Sequence, residues 1–290
     1  MSAACSNGID IGFASLSYLQ IGVLGLVQGI TELLPISSTA HMRVVPAFLG
    51  WTDPGSAFSA VMQMAALAAV LSYFYKDVRD LLQGTVQAVQ ERNYRSPTFR
   101  LAVGIVLATI PIGVVGLLIS GHLNACNTQF RGLQVIAVAS LVMAGLLAWS
   151  ELVCSHVRRV EDMKLRDALI VGLAQVGALV PGVSRSGSTL TGALFLNFRR
   201  EDAARFSFLL GLPAIALAGL KEVWVLIHAQ IPLEAWQHLG FGLLVGSVSA
   251  FAAIWGLMRF LERFSTWLFV AYRAGLGIFL LLALSLGWLA

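Results

Sequence analysis

The sequence contains little charge for its length. Only 12% of its 290 residues are Asp, Glu, Lys or Arg, whereas soluble domains carry about 25%. The hydrophobic fraction is 58%, which is more apolar surface than a single soluble core of this length buries. The composition therefore excludes an ordinary soluble domain and indicates a membrane protein.

Several functional motifs are also missing. The three cysteines, Cys5, Cys126 and Cys154, have no CxxC or metal-binding spacing, so we expect no metal or redox chemistry from them. Residues 1–42 contain no Lys or Arg, so we expect no signal peptide there. No Walker lysine motif is present, which argues against nucleotide hydrolysis. The net charge of +4 comes from clusters between apolar runs, so nucleic acid is not an expected partner.

Six long apolar runs follow one another along the chain. Each is close to the roughly 20 residues that a helix needs to cross the hydrocarbon core of a bilayer. The runs are 57–75, 101–120, 133–153, 206–227, 236–258 and 265–289. The sequence therefore predicts an all-α polytopic membrane protein with six transmembrane helices, in a single integral membrane domain over residues 1–290.

Basic residues are distributed unevenly between these runs. Most lie in four segments, which are 76–100, 154–166, 197–205 and 259–264. The other three loops together contain one basic residue, Arg131, and lie near 51–55, 121–131 and 228–235. Cytoplasmic loops carry an excess of Lys and Arg. We therefore predict that the four basic segments are cytoplasmic and that both termini lie outside, in the periplasm of a Gram-negative cell.

Two apolar regions are interrupted by polar residues and proline. The stretch QGITELLPISSTAH occupies 28–41, and PGVSRSGST occupies 181–189. Because proline removes a backbone donor and clashes with the preceding helical turn, we predict helix breaks at Pro35 and Pro181. The charge pattern requires each region to enter and leave on one membrane face, the first from outside and the second from inside. We therefore predict two re-entrant helix pairs.

The two interrupted regions also resemble each other. LGLVQG and LPISST in the first correspond to VGLAQVG and VPGVSRS in the second. Similar broken helices of opposite orientation form an inverted-topology repeat and meet near the bilayer midplane. We place the first repeat at about 18–153 and the second at about 166–290. Irregular backbone at membrane depth is tolerated where it lines a polar cavity, so both breaks should face one site.

The first break carries groups that suit a cation and a nucleophile. A carboxylate inside an apolar helix is costly and marks a functional site, so Glu32 is the leading candidate. Gln28 lies four residues earlier on the same helical face. His41 follows the break, after three hydroxyl residues, Ser37, Ser38 and Thr39. Carboxylate and amide oxygens suit a hard divalent cation, and a hydroxyl or imidazole can act as nucleophile or proton carrier.

The second break carries groups that suit phosphate. Arg185 is a permanent cation, and hydroxyl residues surround it, among them Ser184, Ser186 and Thr189. A cation at the phosphate oxygens beside a nucleophile is the equipment of phosphoryl transfer. A transporter of an anionic lipid is the alternative, because broken helices in inverted repeats are typical of transporters. The carboxylate and nucleophile of the first break favour the enzyme.

Both motifs resemble those of the undecaprenyl-diphosphate phosphatase family of the bacitracin-resistance type. Residues 28–32 match its Glu/Gln-x-x-x-Glu pattern, and residues 181–189 match Pro-Gly-x-Ser-Arg-Ser-x-x-Thr. The resemblance covers nearly the whole chain. It implies hydrolysis of a polyprenyl diphosphate to the monophosphate with Mg²⁺ or Ca²⁺, which recycles the lipid carrier for peptidoglycan and other wall polymers. It also implies the bacterial cytoplasmic membrane, a site open to the periplasm, and competition by bacitracin, which sequesters the substrate.

The resemblance also implies roles for the residues of both breaks. Glu32, Ser38, His41 and Arg185 would be catalytic, and Gln28 with Glu32 would hold the metal. The substrate would be bound by five hydroxyl residues, Ser37, Thr39, Ser184, Ser186 and Thr189. Three nucleophiles stay open: Ser38 activated by His41, His41 itself, and water activated by Glu32 and the metal. Many members have glutamate at position 28, where the glutamine here cannot act as a base.

Two further properties stay open at this point. Small residues along the spans permit close helix contacts such as those of a homodimer, without fixing the oligomeric state. The preferred length of the prenyl chain is also not readable from the residues.

Overall fold

The computed structural model describes residues 5–6, 9–123 and 132–289. A two-residue antiparallel pair, Cys5–Ser6 with Ile9–Asp10, precedes the helices. The described residues then form eleven α-helices: α1 (Tyr18–Leu33), α2 (Ser38–Leu49), α3 (Gly55–Tyr73), α4 (Tyr75–Gln90), α5 (Pro97–Leu123), α6 (Leu133–Val153), α7 (Leu165–Val176), α8 (Arg185–Phe195), α9 (Arg200–His228), α10 (Leu233–Leu261) and α11 (Trp267–Ser285).

Six of these helices are long and apolar enough to cross a membrane, namely α3, α5, α6, α9, α10 and α11. They coincide with the six predicted runs, so the prediction of an all-α polytopic membrane protein is confirmed. The helix α4 lies within the basic segment 76–100, where the apolar runs did not indicate a helix. The predicted external loop covers residues 121–131. Its residues 124–131, which include Cys126, lie outside the described residues.

The helices are interrupted at both predicted prolines. Helix α1 ends at Leu33 and α2 begins at Ser38, whereas α7 ends at Val176 and α8 begins at Arg185. The same device restarts the helix at each break. A serine N-cap with positive φ, Ser37 at 73° and Ser184 at 74°, accepts a hydrogen bond from the backbone N–H three residues on. Their re-entry from opposite membrane faces stays a prediction.

The main helix pairs each join one helix from the first half of the chain to one from the second half. Helix α1 packs along α10, and α7 packs along α5, while α3 contacts α9 and α6 contacts α11. This is the pairing expected if α1–α3 correspond to α7–α9. The approach of α1 to α10 requires glycine, since a Cβ atom on Gly29 would overlap Ser249 Oγ and the carbonyl of Gly246. The repeat bounds and their inverted orientation stay predictions.

The largest apolar core surrounds the two breaks. It includes Leu33 and Ile36 from the first break and Leu190 and Leu194 from α8, all nearly inaccessible to solvent. The irregular backbone of the first break is largely buried, so its polar groups need internal partners, whereas Gly177 and Val180 of the second break are exposed.

Candidate active site

The two breaks contact each other directly. The Ser186 hydroxyl lies 3.2 Å from the carbonyl oxygen of Glu32 and 3.1 Å from that of Leu34, within reach to donate to either. The backbone N–H of Gly182 donates to Thr39 Oγ1 at 3.4 Å. Residues about 150 positions apart in the sequence therefore form one polar cluster.

Glu32 occupies the centre of this cluster and is only 6% exposed. Its Oε2 accepts hydrogen bonds from the Ser38 hydroxyl and, at 3.0 Å, from Gln28 Nε2. Its Oε1 lies 3.5 Å from Nη2 of Arg185. A buried carboxylate needs such partners, because an unpaired charge away from water is strongly unfavourable. Three other predicted residues, Gln28, Ser38 and Arg185, therefore surround the carboxylate of Glu32.

The guanidinium of Arg185 keeps hydrogen-bonding capacity for a ligand. Its Nη1 donates weakly to the carbonyl of Ser207 at 3.5 Å. Its Nε and Nη2 are buried and make no hydrogen bond within the described part of the chain. A Cβ atom on Gly211 would overlap Nη1, so the space for the guanidinium exists because α9 has a glycine there. Two N–H donors in a planar fork match the oxygens of a phosphate.

His41 has two partners, and neither is Ser38. Its Nδ1 lies 2.7 Å from the carbonyl oxygen of Ser37, so Nδ1 carries the proton and donates. Its Nε2 then accepts from the Tyr272 hydroxyl at 2.6 Å. The hydrogen bond that His41 needs to activate Ser38 is not formed. The Ser38 hydroxyl donates instead to the buried carboxylate of Glu32, which is a stronger acceptor than a neutral ring nitrogen.

The five hydroxyl residues predicted to bind the substrate all lie at the breaks, where each has a protein partner. Ser37 and Ser184 cap α2 and α8 through their side chains. Thr39 and Ser186 connect one break to the other. Thr189 bonds to the Ser207 hydroxyl and to the Arg185 carbonyl. These bonds fix the backbone of the site, and contact of the five hydroxyls with a substrate stays a prediction.

Arg273, which was not predicted as a site residue, holds the two breaks together. This residue of α11 is 1% exposed. Its Nη1 donates to the carbonyl of Pro35 at 3.0 Å, and its Nη2 donates to the carbonyls of Gly182 and Val183 at 2.7 and 3.1 Å. A signal was available, since Arg273 is the one charged residue in the apolar run 265–289, and such residues mark functional positions.

The donor atoms beside Glu32 fit a hard divalent cation that is shared with a substrate. Among the residues that the structure describes, no group of three or more His, Cys, Asp or Glu side chains could hold a metal by itself. The Oε1 atom of Gln28 is buried without a hydrogen-bond partner, next to the Glu32 carboxylate. Magnesium sites often use one or two protein oxygens together with phosphate oxygens of the substrate. The metal itself stays a prediction.

The chain is similar to known proteins over most of its length. The family model described as bacitracin resistance protein BacA matches residues 21–279. Undecaprenyl-diphosphatase 2 of Mesorhizobium japonicum is 63% identical over 264 residues, which are 91% of this chain and 100% of that protein. Undecaprenyl-diphosphatases of Gloeobacter violaceus and Synechocystis are 51% and 47% identical, covering 92% and 99% of this chain and 92% and 88% of those proteins. The chain therefore belongs to the bacitracin resistance protein BacA family.

Proposed function

We propose that this membrane protein hydrolyses undecaprenyl diphosphate to undecaprenyl phosphate and inorganic phosphate. The observation that carries the proposal is the junction of the two breaks, where a hydroxyl on a carboxylate faces a guanidinium with free N–H donors. The relatives named undecaprenyl-diphosphatase match this chain nearly end to end, up to 63% identity. The reaction returns the lipid carrier to peptidoglycan and other cell-wall synthesis.

The geometry favours Ser38 as the nucleophile and Glu32 as its base. The Ser38 hydroxyl already donates to Glu32 Oε2. In the first step its oxygen would attack the terminal phosphorus while the proton passes to Glu32. The bond from phosphorus to the bridging oxygen breaks, and the lipid monophosphate leaves. Water then attacks the phosphorus of the phosphoserine, and the bond from phosphorus to the Ser38 oxygen breaks. Glu32 returns its proton to that oxygen, and inorganic phosphate leaves with the protons of the water.

The other two nucleophiles fit the geometry less well. Direct attack by His41 would require its Nε2 lone pair, which accepts from the Tyr272 hydroxyl. Attack by water would require a solvent position between Glu32 and the phosphate, and the Ser38 hydroxyl already occupies the carboxylate oxygen Oε2. His41 instead contributes by holding the carbonyl of Ser37, which keeps the N-cap of α2 in place.

Arg185 stabilises the charge of the phosphoryl group. Its free Nε and Nη2 donors would bind the oxygens of the terminal phosphate. The ion pair with Glu32 is long, at 3.5 Å, so a phosphate that draws the guanidinium away from Glu32 breaks no close hydrogen bond. Substrate would then neutralise the guanidinium and leave Glu32 free to accept the serine proton.

A divalent cation, Mg²⁺ or Ca²⁺, completes the proposed site. Gln28 Oε1 and the Glu32 carboxylate would hold it together with oxygens of the diphosphate. When bound, such a cation neutralises phosphate oxygens and makes the phosphorus easier to attack.

An apolar groove beside the first break suits the prenyl chain. It has a volume of about 420 Å³ and lies between α1, α10 and α11. Leu34, at the end of α1, lines the groove, and its carbonyl oxygen accepts from Ser186 inside the site. The lipid tail would therefore leave the site along this groove while the diphosphate stays at the breaks.

The charge distribution supports a placement in the bacterial cytoplasmic membrane with both termini outside. The four basic segments would face the cytoplasm, and the site would open to the periplasm. Undecaprenyl diphosphate would be the lipid partner, and bacitracin would compete by sequestering it. Membrane lipids surround the spans, and a homodimer is compatible with the small residues at helix surfaces.

The decisive experiment uses the purified full-length chain in detergent micelles and undecaprenyl diphosphate labelled in its terminal phosphate. With Mg²⁺ we expect phosphate release, and acid quenching should trap label on the protein. Ser38→Ala should lose both, whereas the matched control Ser188→Ala should keep both, because the Ser188 hydroxyl bonds only to the nearby Arg185 carbonyl.

The outcomes separate the mechanism from the function. Phosphate release without label on the protein, in a Ser38→Ala variant that retains turnover, would show that water is the nucleophile and overturn the serine step alone. Failure to release phosphate with Mg²⁺ or Ca²⁺ would overturn the phosphatase assignment and favour transport of an anionic lipid.

A further inference from the structure

A second polar cavity lies away from the active site. It has a volume of about 670 Å³ and is lined by Arg100 of α5, by residues 158–170 around the start of α7, and by Leu196 after α8. No residue of the active site lines it. It joins two of the basic segments that the sequence predicts to be cytoplasmic, 76–100 and 154–166, whereas the active site lies at the breaks between half-helices.

The acidic groups of this cavity are already engaged by the protein. Asp167 accepts Nη2 of Arg158 at 2.5 Å and also a backbone N–H. Glu161 faces Arg205 at 3.8 Å, and Asp162 accepts a backbone N–H at 3.0 Å. The lining holds four cations, Arg100, Arg158, Lys164 and Arg166, against three carboxylates, Glu161, Asp162 and Asp167, so its net charge is +1.

In the part of the chain that the structure describes, three cations around the cavity are not held in ion pairs. Arg100, Lys164 and Arg166 are exposed, and none has an ion-pair partner within residues 9–123 and 132–289. They come from two separate helices and a connecting segment, and the fold brings them to one concave surface. Several fixed cations with free N–H donors suit a phosphate group, whose oxygens accept from more than one of them.

The cavity has an apolar side as well. Ile170 lines it, and Leu165 and Leu169 lie on the same helix, each of the three more than a third exposed. A soluble phosphate ester would leave these side chains uncovered. A phospholipid covers both parts, since its headgroup fills the cavity while its acyl chains cover α7.

We propose that this cavity binds the phosphate of an anionic phospholipid headgroup in the leaflet next to the basic segments. The lipid would hold together the starts of α5 and α7 and the end of α8. This inference does not rest on the catalytic assignment, because neither the cations nor the apolar residues belong to the breaks.

Native mass spectrometry of the full-length protein in neutral detergent tests the proposal. Phosphatidylglycerol is the probe, phosphatidylcholine is the zwitterionic comparison, and glycerol 3-phosphate supplies a phosphate without acyl chains. A variant with Arg100→Gln, Lys164→Gln and Arg166→Gln removes the three cations. The matched control carries Arg79→Gln, Arg95→Gln and Arg263→Gln, which are exposed and do not line the cavity.

We expect phosphatidylglycerol to bind the wild type and the control more tightly than phosphatidylcholine does. The cavity variant should bind it at least tenfold more weakly, because each cation near an anionic lipid contributes roughly fivefold in affinity. Phosphate release in lipid-free micelles should be equal in all three proteins. Equal phosphatidylglycerol affinity in the two variants would overturn the site, and glycerol 3-phosphate binding as tight as the lipid would overturn its lipid source.

Discussion

The two helix breaks share one backbone design and carry opposite charges. In both, a serine with φ near 73° caps the second half-helix through its side chain. The first break presents Glu32 with a hydroxyl bonded to it, and the second presents Arg185 with unused donors. The two breaks therefore start their second half-helix in the same way and differ in charge, with a carboxylate in the first and a guanidinium in the second.

The difference extends to how each charge is satisfied. Oε2 of Glu32 has two hydrogen-bond partners from the first break, namely Gln28 and Ser38. Arg185 has only a weak bond to Ser207 and a long ion pair with Glu32. The carboxylate side is organised before substrate binds, whereas the guanidinium side depends on a ligand to complete it.

The largest effect should come from removing the two opposite charges, with different kinetic signatures. Glu32→Gln keeps a hydrogen-bond acceptor for Ser38 but cannot take its proton, so kcat should fall by about 10²–10⁴-fold with little change in KM. Arg185→Gln should raise KM and lower kcat, because both substrate and transition state lose the cation. Steady-state phosphate release from micellar substrate measures both constants. Identical signatures for the two variants would contradict the division of roles.

The second-largest effect should come from Arg273, which donates hydrogen bonds to carbonyls of both breaks. Arg273→Gln leaves carbonyls of Pro35, Gly182 and Val183 without a donor, so the free energy of unfolding should fall by about 2–4 kcal/mol. Turnover should fall as well, since the two breaks lose their common tie. Thermal unfolding in detergent and phosphate release measure the two losses. The control Arg263→Gln, at an exposed position, should change neither, and an unchanged melting temperature in Arg273→Gln would contradict the tie.

The two serine caps test whether the two breaks are equivalent. Ser37→Ala and Ser184→Ala should each lower the free energy of unfolding by about 1 kcal/mol, because each removes the acceptor for one N–H at a helix start. The glycine variants should lose less, since glycine tolerates positive φ. Thermal unfolding of the four variants gives the comparison. A large loss at one serine and none at the other would show that the breaks are not equivalent.

The smallest effect should come from Gln28→Glu. A second carboxylate beside Glu32 is tolerated if a cation lies between them, so turnover with Mg²⁺ should stay within about threefold of wild type or rise. The Mg²⁺ concentration for half-maximal activity should fall. A titration of activity with Mg²⁺ measures both quantities. Loss of turnover at every Mg²⁺ concentration would show that the metal-side assignment of Gln28 is wrong.

The local features of this structure could be predicted from the sequence. Hydropathy located all six spans, and Pro35 and Pro181 located the breaks, because both signals depend on neighbouring residues. Partners across the fold were not readable. The bonds of His41 to Tyr272 and of Ser38 to Glu32 depend on how α2 is turned against α1 and α11, which one sequence does not define. Arg273 was readable as an isolated charge, but its three carbonyl partners were not.

The position of Arg273 in the chain has a consequence for biosynthesis. The nascent protein carries Glu32, Ser38 and Arg185 before the ribosome reaches residue 273. Until α11 inserts, the carbonyls of both breaks lack their common donor. We therefore expect chains that end before α11 to release no phosphate although they contain Glu32, Ser38 and Arg185, because the two breaks lack the donor that joins them.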